Sequence, residues 1–245
     1  MILTPPFMKT IPEAILAYAH RSAEGQVLSP KDFLHMGNRT AVDQALSRLS
    51  REGHLIRVDR GAYVAPVRCR AGCRPPGIEK VVKSLAALSG ELIALDGAAS
   101  AMSFGLAERQ QIAPRYFTSG RSRTLLLGEV EVVLQHAPVW MLALGNSPAG
   151  MAVRAMVWLG PDALDESLAK IRRSLSSSAW LALVACRAAL PSWIARAISE
   201  SVAQGVPGQQ SRRGRLAIEE GTSDALNLGA GAEAEVVSNQ TMGAA

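Results

Sequence analysis

Aromatic residues are scarce: Phe, Trp and Tyr make up only 4% of the 245 residues, so a core has to come from Leu, Val, Ile and Ala. Cysteine is scarcer still, with three unevenly spaced residues, which excludes a disulfide framework. No run of about eighteen apolar residues occurs. The best candidate, residues 179–198, is broken by Arg187, Pro191 and Arg196, which argues against a membrane span. The N-terminal MILTPPFMKT lacks the long apolar stretch of a secretory signal. A cytoplasmic protein is therefore expected. What is plentiful is aliphatic surface: the apolar fraction of 48% supports at least one buried core and excludes wholesale disorder.

Signatures of enzyme chemistry are also missing. Gly72 and Gly77 have the spacing of P-loop glycines, but Ile78 stands where a lysine is needed. Ser147 sits in Gly-Asn-Ser-Pro-Ala, where Ala149 replaces the last glycine of a nucleophile elbow and Pro148 disturbs its turn. Cys69 and Cys73 have no second Cys/His pair at zinc spacing, and His20, His35, His54 and His136 are scattered. The expectation is a non-enzyme with no cofactor and no metal.

Charge is uneven. Residues 1–75 carry a net charge of +5, residues 76–203 +2 and residues 204–245 −2. A small basic module beside a near-neutral one suggests an anion-binding head, nucleic acid first among its partners. Residues 67–77, VRCRAGCRPPG, lack apolar periodicity and read as a linker. From Gly205 the chain is rich in Gly, Ala and Ser without an aromatic, and a disordered tail is expected. The expected organisation is a head at 1–75, a mixed domain at 76–203 and a tail at 204–245.

Within the head, Ile11, Ala14, Ile15 and Tyr18 mark a helix ending near Gly25. Ser29 with Asp32, and Pro30 between them, start a short second helix through Phe33 and Leu34. Asn38 caps a third, RTAVDQALSRLSRE, closed by Gly53. Val42, Ala45, Leu46 and Leu49 fall on its inner side; Thr40, Gln44, Ser47, Arg48 and Arg51 fall on its outer side, with Arg39 and Asp43 at the edge. A strand at 55–58, a turn at Asp59-Arg60-Gly61 and a return strand at 62–64 complete a winged helix-turn-helix. Such a helix fits the major groove of double-stranded DNA, and Gln44 and Arg48, one turn apart, are the expected base readers. Arg57 and Arg60 on the wing are the expected phosphate contacts. The DNA-binding set is thus Arg39, Thr40, Gln44, Ser47, Arg48, Arg51, Arg57 and Arg60.

The run VLSPKDFLHMGNRTAVDQALSRLSREGHLIRVDRGAYVAP, residues 27–66, resembles the N-terminal domain of AbiEi-type antitoxins of type IV toxin–antitoxin systems. The likeness lies in Ser29-Pro30-Lys31-Asp32-Phe33, in residues 41–49 and in residues 57–63; Ser50 and Ala62 depart from the family's bulkier residues. Gly97-Ala98-Ala99, Tyr116 to Gly120 and residues 149–160 resemble its second domain more loosely. The resemblance implies a repressor of its own operon, bound to operator DNA with a homodimer as a further expectation. It also implies a role against a nucleotidyltransferase-like toxin.

In residues 76–203, helices are expected at 78–88, 97–104, 151–159, 164–175, 179–189 and 193–202, with short strands at 116–118, 123–127 and 130–135. The fold class is α+β: a winged helix-turn-helix, then a mixed domain with a small central sheet and C-terminal helices. Two features leave rivals open. Glu129 and Glu131, at strand spacing, share a face and could hold Mg²⁺, though a solvent face is the simpler reading. The loop from Thr118 to Arg123 offers Arg121 and Arg123 to a phosphate or an acidic partner, though a polar turn is simpler. A nucleic-acid-processing enzyme built on these groups is one alternative; a stand-alone winged-helix regulator is the other.

Overall fold

Capping chemistry written into the head sets where its helices begin. In the computed structural model, which describes residues 10–70, 72–108 and 113–204, helix α1 spans Ile11–Arg21. The Thr10 amide donates to Glu13 Oε2 at 2.9 Å in a capping box. Ala14, Ile15 and Ala19 are buried. The helix ends one turn earlier than Gly25, at Arg21, and the Ser22 hydroxyl caps the Tyr18 carbonyl. A two-residue strand, β1 (Val27–Leu28), follows. The Ser29–Asp32 box then opens a single 3-10 turn, Pro30–Phe33, rather than an α-helix. With Asn38 already committed to the next cap, too few residues remain to propagate i to i+4 bonding.

Asn38 Oδ1 accepts from the Ala41 amide at 2.8 Å and starts α2, Arg39–Arg51. At its end Gly53 takes φ +76°, and the Gly53 and His54 amides close back on the Ser50 and Leu49 carbonyls. That is a Schellman closure, and it requires a residue free to be left-handed. Val42, Ala45, Leu46 and Leu49 are all buried, as the periodicity requires. Strands β2 (Ile56–Asp59) and β3 (Ala62–Val64) form the wing, and β1 adds to β3 in an antiparallel sheet ordered β1-β3-β2.

The expected linker is instead an antiparallel hairpin, β4 (Val67–Cys69) with β5 (Gly72–Arg74). All its described residues but Val67 are exposed, so main-chain bonding rather than burial holds it. Hydropathy could not have revealed it. Glu24 ties its end down: it pairs with Arg74 and Lys80 and accepts from the Gly77 amide at 3.2 Å. Through that amide Glu24 caps α3 (Ile78–Ser89) from elsewhere in the chain.

The second half follows as β6 (Ile93–Leu95), α4 (Gly97–Ser103), β7 (Arg115–Thr118), β8 (Arg123–Leu127) and β9 (Val130–His136). The sheet order is β6-β7-β9-β8, with only β7–β9 parallel. Then come α5 (Val139–Leu142), α6 (Pro148–Leu159), α7 (Leu164–Ser174), α8 (Ser177–Cys186), a 3-10 turn at Arg187–Ala189 and α9 (Ser192–Gln204). This is an α+β protein: a winged helix-turn-helix, then a mixed part with a small sheet and C-terminal helices. No helix among the described residues is long and apolar enough to cross a membrane. The expectation of a tail without a core falls on residues 205–245, outside the described residues.

The described residues up to Glu200 pack as one compact unit. One apolar cluster belongs to the head alone, with Ile15, Leu28, Phe33, Leu46, Leu49 and Leu55 among its members. A second cluster spans residue 75: Val27, Val58, Ala62 and Val64 of the head pack with Val81, Val82 and Leu85 of α3 and with Tyr116, Leu125 and Val132 of the sheet. Above it, Arg123 reaches both ways. Its Nε donates to Asp59 Oδ2 at 3.1 Å, and its Nη1 and Nη2 grip both oxygens of Glu91 at 3.2 and 2.8 Å. The Thr118 hydroxyl donates to the same carboxylate at 2.9 Å.

Arg154 on α6 is fully buried, with the Met141 and Gly145 carbonyls at 3.2 and 2.9 Å and Asn146 Oδ1 at 3.5 Å. Burial pushes its pKa down to about 10, with nearby Asp96 opposing, so it stays cationic at neutral pH. Asn146 in turn accepts from Leu95 N and donates to Ile93 O, occupying the outer edge of β6 as a strand would.

Helices α4 and α6 approach through Gly97, where an added Cβ would lie 2.6 Å from Trp158 Cβ and 3.0 Å from the Arg154 carbonyl. Gly97→Ala is expected to destabilise the fold by about 1–3 kcal/mol through overpacking, read as a lower urea midpoint at unchanged slope. An unchanged midpoint would show that the helices separate freely. Burial alone would raise the Glu91 pKa, but the hydrogen bonds from Arg123 and Thr118 outweigh it and hold the carboxyl below its ordinary value. Stabilisation by such a group is complete above the unfolded-state pKa and is lost as pH falls through the folded-state value. The stability lead of the natural protein over Glu91→Gln should therefore hold down to about pH 5 and shrink below about pH 4. Urea titrations across that range check it, and a lead undiminished at about pH 3 would contradict it.

Candidate nucleic-acid interface

The outer face of α2 and the inner edge of the wing enclose an open concavity of about 630 Å³. Arg39, Thr40, Gln44, Ser47 and Arg51 line it from the helix, and Arg57 and Arg60 from the wing. Seven of the eight expected DNA-binding residues are thus brought to one surface. Two periodicities produce this. Inward Val42, Leu46 and Leu49 fix the rotation of α2, so the polar set turns outward. Buried Val58 fixes the rotation of β2, so Arg57 turns outward beside it.

Arg48 is the exception. It lines an adjoining groove of about 560 Å³ between α1 and α2, with Ile11, Pro12 and Ala45, and its Nε pairs with Glu52 at 3.1 Å. Gln44 and Arg51 border both surfaces. Gln44 and Arg48 thus meet at the adjoining groove, while the arginine that accompanies Gln44 in the concavity is Arg51. The reason is angular: at about 100° per residue Arg48 lies roughly 40° round the helix from Gln44 and Arg51 roughly 20° the other way, so Arg48 faces the groove beside α1.

Three lining residues fall outside the expected set: Asp43, Gly61 and Tyr63. Tyr63 is on β3, 5% exposed, and belongs to the head's apolar cluster as well as to this surface. Asp43 lines the concavity as well, its carboxylate 2.8 Å from Arg39 Nε. Four arginines thus meet a single carboxylate among the lining residues. Arg51, Arg57 and Arg60 make no ion pair among the described residues. At the tip of the wing, Asp59 Oδ1 accepts from the Arg60 amide at 2.6 Å, and its other oxygen is taken by Arg123.

The rival features look different once placed. Arg123 is engaged with Asp59 and Glu91, its side chain only 14% exposed, so of the two arginines in the Thr118–Arg123 loop only Arg121 is exposed. His136 closes the same loop, with Nδ1 2.8 Å from the Gly120 carbonyl and its amide donating to the Ser122 hydroxyl. Glu129 lies in the β8–β9 turn and Glu131 on β9, both exposed. No group of three or more His, Cys, Asp or Glu side chains among the described residues could hold a metal ion. Cys69 and Cys73 are exposed free thiols on opposite strands of the hairpin. Ser147 caps α6, accepting from the Gly150 amide at 3.1 Å.

No curated protein matches this sequence. Among solved structures, the crystal structure of the RV2827C protein from Mycobacterium tuberculosis aligns with 89% of this chain and 84% of that one, at 16% identity and a TM-score of 0.41. The model of a family of unknown function, DUF6088, matches residues 14–179, from the first helix through the sheet to the start of α8. That match takes in more than half of the chain, which therefore belongs to the DUF6088 family.

Proposed function

We propose that this protein binds double-stranded DNA through the concavity between α2 and the wing. The observation that carries the reading is the convergence of Arg39, Arg51, Arg57 and Arg60, against one aspartate, on a surface that also offers Gln44, Thr40 and Ser47. Clustered arginines repel one another and raise the free energy of the folded chain, and a polyanion relieves that cost. Phosphates do so with release of counterions, which makes the binding steep in salt. A helix face bearing Gln and Arg is suited to purine edges in the major groove, where each side chain can make two hydrogen bonds to one base. The wing arginines supply affinity without reading sequence.

The resemblance of residues 27–66 to AbiEi-type antitoxins extends the proposal. The protein would repress its own operon and counteract a nucleotidyltransferase-like toxin made beside it. The second half would then serve the toxin-directed role. A growth assay with the neighbouring gene's product separates this from a stand-alone regulator: rescue by the full chain supports the antitoxin, and its absence leaves a regulator.

Two expectations test the DNA reading. Gln44→Ala and Arg51→Ala should each cost about 1–3 kcal/mol on the preferred duplex and flatten the preference over random sequence. Selection of bound duplexes from a random pool, then anisotropy titration, measures both; an undisturbed preference would remove these residues from base reading. Arg57→Ala and Arg60→Ala should weaken all duplexes alike and reduce the slope of log K against log salt by about 0.9 each. A slope unchanged while specificity shifts would mean that the wing reads bases.

A further inference from the structure

The wing turn is held from the other half of the molecule. Arg123 is pre-oriented by its two-pronged grip on Glu91, leaving Nε free for Asp59. Asp59 touches both wing arginines: its Oδ1 receives the Arg60 amide at 2.6 Å, and its carbonyl lies 3.5 Å from Arg57 Nε. The ladder shifts register between Arg57 and Asp59, so strand pairing alone does not define the path of this turn. We propose that Asp59, locked by Arg123, is a positioning residue that aims Arg57 and Arg60 at the phosphates of bound duplex DNA. The proposal rests on the DNA-binding reading above.

The alternative role for Asp59 is a charge and nothing more. A carboxylate at the tip of a phosphate-binding wing repels DNA, so removing a bystander charge would tighten binding. Positioning predicts the opposite sign. Asp59→Asn is the deciding variant, because asparagine keeps an oxygen to accept the Arg60 amide while the charged link to Arg123 is lost. Arg123→Lys tests the link from its far end, since one ammonium cannot reproduce a fork directed at two carboxylates.

The experiment titrates fluorescein-labelled random-sequence duplex with the full chain over a range of salt concentrations. The variants are Asp59→Asn, Arg123→Lys, Asp59→Asn/Arg123→Lys and, as a control, Arg57→Ala, with thermal melts to compare folding. Asp59→Asn is expected to weaken binding by about fivefold or more, the worth of one well-placed charged contact. Its salt slope should drop by about one to two, at least as far as for Arg57→Ala, because both wing arginines lose their aim. Arg123→Lys should do the same, and the double variant should be no weaker than the worse single one, because both cut one link. Binding by Asp59→Asn as tight as or tighter than the natural chain would overturn the proposal. So would additive losses in the double variant, or a loss with an unchanged slope. If the natural chain fails to bind any duplex, the DNA reading itself falls and the inference falls with it.

Discussion

A winged-helix head of this size has two faces to cover, and here only one is covered from within. Ile15, Phe33, Leu46 and Leu49 close the side between α1 and α2. The wing's other side presents Val58, Ala62 and Val64, with Val27 beside them, and these pack on α3 and the four-stranded sheet. Each of these three valines contributes about 1.5–3 kcal/mol on burial. A head cut at residue 75 would expose all four. The charge step near residue 75 marks a change in chemistry along the chain, whereas the core runs across it. This constraint also fixes the interface, because a wing seated on the sheet has its rotation set by the sheet.

The sequence was most legible where periodicity and capping agreed. Asn38, the Val42/Ala45/Leu46/Leu49 stripe and Gly53 define α2 by three independent signals, and the observed helix matches them. The strands read at 123–127 and 130–135, observed as Arg123–Leu127 and Val130–His136, were visible because buried and exposed residues alternate along enough length. Strands β1 and β6, two and three residues long, hold less than one full alternation and left no periodic trace. The β4–β5 hairpin was hidden for a related reason: it buries almost nothing, so composition marked it as a linker. The second helix of the head shrank to a 3-10 turn because two capping residues compete for one short span.

The candidate site was legible in its membership and illegible in its balance of charges. Reading the face of α2 placed Arg39, Gln44 and Arg51 correctly, since helix geometry alone decides which side they occupy. It could not separate an engaged arginine from a free one. For Arg123 the sequence left a polar turn, the simpler reading, beside a phosphate or acidic partner; its actual partners lie 32 and 64 residues away in sequence. Arg154 carried no signal in the sequence, yet it is fully buried and bonded to the carbonyls of Met141 in α5 and Gly145 ahead of α6. Arg48 is paired with Glu52, a local partner that helix spacing could have flagged.

The placement of carboxylates argues for which surface is left to an outside anion. Glu24 takes Arg74 and Lys80, Asp59 and Glu91 take Arg123, and Glu166 takes Lys170. Asp59 is the telling case, since it sits at the wing tip within reach of Arg57 and Arg60 and could have neutralised either side chain. Its carboxylate is directed instead to a backbone amide and to Arg123. An exposed ion pair at the tip would have contributed little stability, as most surface pairs do. An anchored turn contributes geometry, and it leaves the two arginine side chains without a carboxylate partner. A fold that consumes its acid at the wing to fix the turn, rather than to cancel the adjacent cations, keeps those cations available to a polyanion that approaches the concavity.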